Sequence, residues 1–190
     1  MLIGIIEALI FASEGPLTEE EIKRVVPGVA PREIREALRD LTKVYDEGSG
    51  GVFICEVAGG WQFRTRPEFA EYIKAMLEQK PKRLSRAALE TLAIVAYRQP
   101  VVRTDVERIR GVDSGGVLKI LLERNLVRIL GKKDVPGKPL LYGTTKDFLE
   151  TFGLRDIKAL PTLRELGSLF LEGDIEQQKR LFFTDDEDKT

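Results

Sequence analysis

The spacing of apolar residues predicts three helices and a hairpin in the first 65 residues of the chain. Residues 2–13 form a helix that is apolar almost all round, and Gly15-Pro16 ends it. Thr18, followed by three glutamates, is a good N-cap for a short second helix. A third helix begins at Ala30-Pro31 and places its apolar residues on one side. The hairpin strands and the helix after them are predicted at Val52–Val57, at Trp61–Thr65 and from Pro67 onward.

The same order of elements recurs in the second half of the chain. LSRAALETLAIVAY (84–97) predicts a helix with Ser85 as its N-cap, and a short helix near 103–110 ends at Gly111. Asp113 or Ser114 then caps a third helix. A second hairpin is predicted at Val127–Leu130 and Leu140–Gly143, and Thr145 then caps a last helix.

The recurrence predicts two copies of one supersecondary unit. TRPEFAEYI (65–73) can be aligned with TTKDFLETF (144–152), so the letters agree as well as the order. Three helices followed by a hairpin are typical of a winged helix. We therefore predict a mainly α fold with small β-hairpins (α+β), built from tandem winged-helix domains. The expected division is 1–80, 81–153 and a C-terminal amphipathic segment with an acidic tail at 154–190.

The charge distribution supports two separate bodies. The net charge is −1 over 190 residues, but segment 81–153 carries +6 between acidic ends of −4 and −3. A basic middle segment raises a nucleic-acid hypothesis. The third helix of the second unit begins with two glycines after Asp113 and Ser114, which cannot read base edges. We expect at most weak and nonspecific DNA contact, and we favour a solvated tip for the loop GKKDVPGKP over a phosphate contact.

Scarce residue types exclude most catalytic chemistry. The chain has no histidine, a single cysteine and no phosphate-loop or dinucleotide motif. We therefore expect a non-enzyme without catalytic residues, cofactor or metal, with Cys55 as a small buried filler. Apolar runs are too short for a membrane span, and Glu7 argues against a signal peptide, so we expect a cytoplasmic protein.

Apolar surface in excess of one small domain points to partners. The first helix could bury its excess in a homodimer, or it could be the central helix of its own domain. Residues 154–173 either pack back on a domain or lie in the groove of a partner. Gly115 and Gly116 allow close packing of the helix or hold an anion. The residues predicted for dimerisation are Leu2, Ile3, Ile6, Leu9 and Ile10.

Long stretches of the chain resemble the segregation and condensation protein B family (ScpB). These are LSRAALETLAIVAYRQPV (84–101), IRGVDSGGVLKILLERNLVRILGKKDVPGKPLLYGTT (109–145), IIEALIFASEGPLTEEEI (5–22) and GGWQFRTRPEFAEYI (59–73). The resemblance covers about residues 2–166, and residues 167–190 match no pattern of the family.

The resemblance implies a homodimer paired chiefly through the first domains. It implies binding of the kleisin ScpA, largely through the second domains, and association with an SMC ATPase in a condensin-like complex at the nucleoid. Such a complex acts in chromosome condensation and segregation during cell division. The alternative is a dimeric winged-helix transcription regulator. Carried over to this chain, the kleisin-binding residues are Tyr97, Arg98, Gln99, Pro100, Val112, Asp113, Ser114, Gly115 and Gly116.

Overall fold

A computed structural model describes residues 1–77, 84–162 and 165 of the chain. The chain forms two compact units, Met1–Lys80 with Leu149–Asp156, and Pro81–Phe148 with Ile157–Thr190. Residues 149–156 group with the first unit because the Ala58 and Gly59 amides donate to the carbonyls of Leu154 and Arg155, both at 2.9 Å. This grouping differs from the predicted division into 1–80, 81–153 and 154–190. Apart from Glu165, the predicted apolar strip from residue 163 onward and the acidic tail lie outside the described residues.

The first unit is a helical module closed by a two-stranded hairpin. Its elements are α1 (Leu2–Ala12), α2 (Glu19–Val25), α3 (Pro31–Glu47), β1 (Val52–Val57), β2 (Gly60–Thr65), a 3-10 turn (Pro67–Phe69) and α4 (Ala70–Leu77). The capping box predicted for α2 is present, since Thr18 Oγ1 accepts from the Glu21 amide at 3.3 Å and Glu21 Oε2 accepts from the Thr18 amide at 2.9 Å. Residues from α1, α2, α3 and β1 form the core: Ile6, Ile10, Ile22, Ile34, Ala37, Leu38, Leu41 and Ile54.

The connection between α1 and α2 pairs with the hairpin. Leu17 and Trp61 exchange two backbone hydrogen bonds of 2.9 Å each, which add a short third strand beside β2. The pairing brings the chain so close to Gly60 that a Cβ there would lie 2.8 Å from the backbone carbons of Pro16 and Leu17. Glycine is therefore required at this position for steric reasons.

Among the described residues, helix α1 is buried on one face and exposed on the other. Ile6 and Ile10 are buried, whereas Ile3 is 42 % exposed and Phe11 is 80 % exposed. The helix packs on α3 and β2, and neither element reaches its far side. Within the described residues, part of the apolar surface of α1 is therefore left exposed, which disagrees with the alternative of a fully covered central helix.

The second unit repeats the module with a longer hairpin. The elements of the second half of the chain are α5 (Arg86–Arg98), β3 (Val101–Val102), α6 (Arg103–Arg110), α7 (Gly115–Glu123), β4 (Val127–Lys132), β5 (Leu140–Thr144), α8 (Lys146–Phe152), of which residues 149–152 group with the first unit, and a 3-10 turn (Ile157–Ala159). The sheet has the order β3-β5-β4 and is antiparallel throughout. Ser85 Oγ accepts from the Ala88 amide at 3.2 Å, and Thr145 Oγ1 accepts from the Phe148 amide at 3.1 Å, so both predicted caps are confirmed.

Both units share one topology. Each has a helix, an extended connection, two further helices, an antiparallel hairpin and a closing helix. The extended connection pairs with the second hairpin strand in both, through the single bridge Leu17–Trp61 in the first unit and through β3 in the second. This order defines a winged helix, a helix-turn-helix extended by a hairpin wing. The predicted fold class, mainly α with small β-hairpins, is confirmed.

Candidate partner-binding surfaces

A network of ion pairs closes the turn between α6 and α7. Arg103 Nε lies 2.6 Å from Glu107 Oε1, and the same guanidinium also bonds Asp113. The Ser114 amide donates to Glu107 at 3.1 Å. Glu107 therefore joins the start of α6 to the start of α7, and its hydrogen bond with Arg103 lowers its pKa. The pKa of Arg103 is raised for the same reason.

Ser114 stands at the N-cap position of α7, but its hydroxyl does not cap the helix. The residue is fully buried, and its Oγ accepts from Arg110 at 3.0 Å and donates to the Val112 carbonyl at 3.3 Å. The Asp113 carboxylate instead accepts from the Gly115 amide at 3.1 Å. Of the two predicted caps, Asp113 therefore accepts a hydrogen bond from the first turn of α7, whereas the Ser114 hydroxyl bonds residues of the turn between α6 and α7.

The two glycines at the start of α7 have different surroundings. A Cβ on Gly115 would lie 2.6 Å from an Nη atom of Arg103, so the glycine makes room for that guanidinium. A Cβ on Gly116 would meet nothing within 4 Å. The Gly115 amide already donates to Asp113. These contacts favour the packing interpretation over an anion site at Gly115 and leave Gly116 as open surface.

Gln99 is held inside the second unit. Its Oε1 accepts from the Thr144 amide at 2.8 Å, and its Nε2 donates to the Ala96 carbonyl at 3.2 Å and to Thr144 Oγ1 at 3.1 Å. The side chain thus ties the end of α5 to the end of β5. Tyr97 is partly exposed and donates its hydroxyl to the Pro161 carbonyl at 2.6 Å.

An open groove of about 390 Å³ lies beside the end of α5. Arg98 and Pro100 line one side and α6 lines the other. Arg98 is exposed and takes part in none of the side-chain bonds of the described residues. Ile109 in the groove is 54 % exposed, and Val112 at the nearby corner is 55 % exposed. Exposed aliphatic groups beside a free guanidinium suit a polypeptide carrying apolar and acidic side chains.

The α6 residues of this groove were missed by reasoning from the sequence. They are Asp105, Arg108 and Ile109. Ile109 lies in the last turn of α6, three positions after the buried Val106, and Val112 lies two residues beyond the end of the helix. Helical spacing would place Ile109 near the buried face, so apolar periodicity carries no signal for this surface.

The predicted dimerisation residues divide into two groups. Ile6 and Ile10 belong to the core of the first unit, and Leu2 and Leu9 are half-buried. Ile3 lies on the exposed face of α1, where Ile5 and Phe11 extend the apolar surface. Phe11 also meets Phe63 edge to face, with ring centroids 6.2 Å apart. A second copy could contact this outer face directly, but it could reach Ile6 and Ile10 only by opening the core.

Two features of the described part of the chain bear on metal binding and on thiol reactivity. No cluster of three metal-ligating side chains occurs within residues 1–77, 84–162 and 165. Burial raises the pKa of the Cys55 thiol, which opposes thiolate formation. Over the same ranges, none of the helices has the length and apolar character that crossing a bilayer requires.

These features define a tandem winged-helix protein whose exposed apolar surfaces suit contacts with other polypeptides. The family model described as "Segregation and condensation complex subunit ScpB" matches residues 4–163. The chain belongs to this family.

Named relatives agree with the family model. The chain is 51 % identical over 168 residues to segregation and condensation protein B of Myxococcus xanthus, covering 88 % of this chain and 51 % of that protein. It is also 51 % identical over 171 residues to that of Syntrophotalea carbinolica, covering 90 % and 86 %. The chain therefore spans about half the length of the first relative and most of the second. A crystal structure of ScpB from Mycobacterium tuberculosis is 33 % identical with a TM-score of 0.38, covering 80 % of this chain and 95 % of that one.

Proposed function

We propose that the protein is a non-catalytic accessory subunit of an SMC–kleisin complex of the condensin type. It forms a homodimer through its first unit and binds the kleisin ScpA chiefly through its second unit. Through ScpA it joins an SMC ATPase and acts in chromosome condensation and segregation during cell division, as a cytoplasmic, nucleoid-associated protein.

The observation that carries the proposal is the chemistry of the corner between α6 and α7. In a DNA-reading winged helix the exposed start of the third helix carries side chains that bond base edges. Here that start offers Gly116 as bare surface, and Asp113 and Ser114 are held by internal bonds. Ile109 and Val112 are exposed beside it. This surface favours a polypeptide partner over the alternative, a sequence-specific transcription regulator.

Dimerisation is assigned to the outer face of α1. In a twofold interface both copies contribute the same residues, so Ile3, Ile5 and Phe11 together supply six apolar side chains. We expect Ile3→Glu to give folded monomers, because the carboxylate lies on the exposed face and not in the core. Sedimentation velocity measures the mass and far-UV circular dichroism checks the fold.

The matched control for dimerisation is Ile6→Ala on the same helix. Ile6 is fully buried, so its truncation costs about 2–5 kcal/mol of stability and leaves the outer face intact. It is expected to lower the unfolding temperature while the protein remains dimeric at low temperature. A dimeric Ile3→Glu variant with native circular dichroism would contradict the assignment of this face.

ScpA binding is tested with an arginine on open surface. We expect Gly116→Arg to weaken binding of purified ScpA in calorimetry at least tenfold, because the new side chain covers the corner without meeting a neighbour. Gly50→Arg is the control, since a Cβ at Gly50 also meets nothing within 4 Å and the residue belongs to the first unit. Equal affinity of the two variants for ScpA would remove the corner from the binding surface.

A further inference from the structure

The hairpin of the second unit carries a group of exposed cations. We define the basic wing as Arg128, Lys132, Lys133, Lys138 and Lys146, all exposed. Arg128 lies on β4 and Lys132 at its end. Lys133 and Lys138 lie in the loop that follows, and Lys146 is the first residue of α8. The nearby acids are Asp134 in the loop and Asp147, which accepts from Asn125 at 2.7 Å.

The basic wing groups five exposed cations that lack ion-pair partners in the described part of the chain. On the third helix of the first unit, Arg32, Arg35 and Lys43 lie 2.8, 3.1 and 3.7 Å from carboxylates. By contrast, the five wing residues occur in none of the salt bridges or side-chain hydrogen bonds found within residues 1–77, 84–162 and 165. Their positive potential is therefore available to a partner.

The loop that holds the lysines is ordered by its own backbone. The Lys133 amide donates to the Pro139 carbonyl at 2.8 Å, and the Lys138 amide donates to the Val135 carbonyl at 2.8 Å. Gly137 has a φ of +83° and Lys138 a φ of +39°, so the chain turns sharply at the tip. Ordering the backbone in advance lowers the entropy cost of placing the three lysines against a ligand.

The first unit shows what the same module looks like without this feature. Its hairpin strands are joined by Ala58 and Gly59 alone, and the arginines at the end of its second strand, Arg64 and Arg66, are occupied. Arg64 donates to the Glu150 carbonyl at 2.5 Å, and Arg66 donates to the carbonyls of Tyr45 and Gly48 at 2.7 and 2.9 Å. The long basic loop is thus an addition to the second copy and not a requirement of the fold.

We propose that the basic wing contacts the phosphate backbone of duplex DNA without reading its sequence, a property that goes beyond the binding of ScpA. A bulge in β4 lies between Arg128 and Lys132, so their partners on β5 are three residues apart, or about 10 Å at about 3.3 Å per strand residue. The base and the tip of the hairpin therefore each carry a cation that can contact phosphate. Base readout is absent because α7 begins with Gly115 and Gly116.

The test measures binding of fluorescent 30-base-pair duplexes of two unrelated sequences to the full-length protein, by anisotropy between 25 and 200 mM salt. We expect equal affinity for the two duplexes and a steep loss of affinity with salt. Each phosphate contact contributes about 0.9 to the slope of log K against log salt. Replacing Lys132, Lys133 and Lys138 with alanine is expected to lower the slope by about 2–3 and the affinity at 50 mM salt at least tenfold.

A matched triple variant separates the wing from net charge. Alanine at Lys23, Lys43 and Lys74 removes the same charge from exposed positions of the first unit, and is expected to change the affinity less than threefold. Equal losses in the two triple variants, no binding by the unmodified protein at 25 mM salt, or equally effective competition by polyglutamate would each overturn the proposal. The wing variant is expected to bind ScpA normally, so failure of DNA binding leaves the proposed function untouched.

Discussion

Replacing Gln99 with alanine is expected to destabilise the second unit, although Arg98 beside it can be replaced almost without cost. Gln99 makes hydrogen bonds of 2.8, 3.1 and 3.2 Å to Thr144 and Ala96. Each is worth about 1 kcal/mol net, and the variant leaves the half-buried Thr144 amide without its acceptor. We expect a loss of about 2 kcal/mol, or about 8–16 °C in unfolding temperature for a unit of this size.

The two residues make a matched pair because they are adjacent in the chain but differ in burial and in hydrogen bonding. Arg98 is exposed, so Arg98→Ala is expected to change stability by less than about 0.5 kcal/mol. Urea unfolding followed by far-UV circular dichroism measures both variants. The single tryptophan, Trp61, lies in the first unit, so its fluorescence reports whether that unit is unchanged.

Calorimetry with ScpA supplies the second readout for this pair. If Arg98 lines a partner-binding groove, Arg98→Ala weakens ScpA binding while stability is kept, and Gln99→Ala shows the opposite behaviour at a temperature where it is folded. An unfolding temperature of Gln99→Ala within 2 °C of the unmodified protein, together with weaker ScpA binding, would refute the assignment of Gln99 to the internal structure.

Two further predictions concern the corner between α6 and α7. Because Glu107 has a lowered pKa in the folded protein, its stabilisation is present above its unfolded pKa of about 4.5 and is lost as the pH falls through the folded value. Glu107→Gln is therefore expected to lower stability at pH 7, with the difference shrinking below pH 4.5 in circular-dichroism melts; a constant difference from pH 7 to pH 3 would contradict this. Gly116→Ala is expected to raise the free energy of unfolding by up to about 1 kcal/mol, the gain in helix propensity, and so to raise the unfolding temperature. Gly115→Ala is expected to raise the unfolding temperature less or to lower it, because the new methyl group forces Arg103 to move. Equal gains in calorimetric scans would argue against the contact with Arg103.

Local chemistry made the elements of the fold predictable. Thr18 and Ser85 bond the amides that their positions at helix starts predict. Gly111 ends α6 with a φ of +75°, which glycine adopts without strain. These signals involve residues within four positions of each other, so no knowledge of the tertiary structure was needed to use them.

The site was less predictable because its contacts join distant residues. Gln99 and Thr144 are 45 positions apart, and nothing near Gln99 in the sequence indicates that its amide is already used. Ser114 has the hydroxyl of a helix cap, but Arg110 and the Val112 carbonyl take that hydroxyl into the interior. The types of residue in the turn between α6 and α7 made it a predictable candidate site. They could not show which of its polar side chains remain free to bind a partner.

Helix α1 shows the same limit for apolar residues. Ile3 and Ile6 have identical side chains, yet one is 42 % exposed and the other is fully buried. Composition indicated that the helix was too apolar for a surface element. Only the packing of α3 and β2 against it decides which isoleucines remain exposed.

The close approach of the chain at Gly60 has a consequence for how this module can vary. A methyl group there would collide with backbone atoms of Pro16 and Leu17, and backbone cannot rotate away as a side chain can. The identity of one residue is thereby coupled to the path of a segment more than forty positions earlier. A graft of the first hairpin onto another scaffold must carry the α1–α2 connection with it, and a lengthened connection frees position 60 only by giving up the strand pairing.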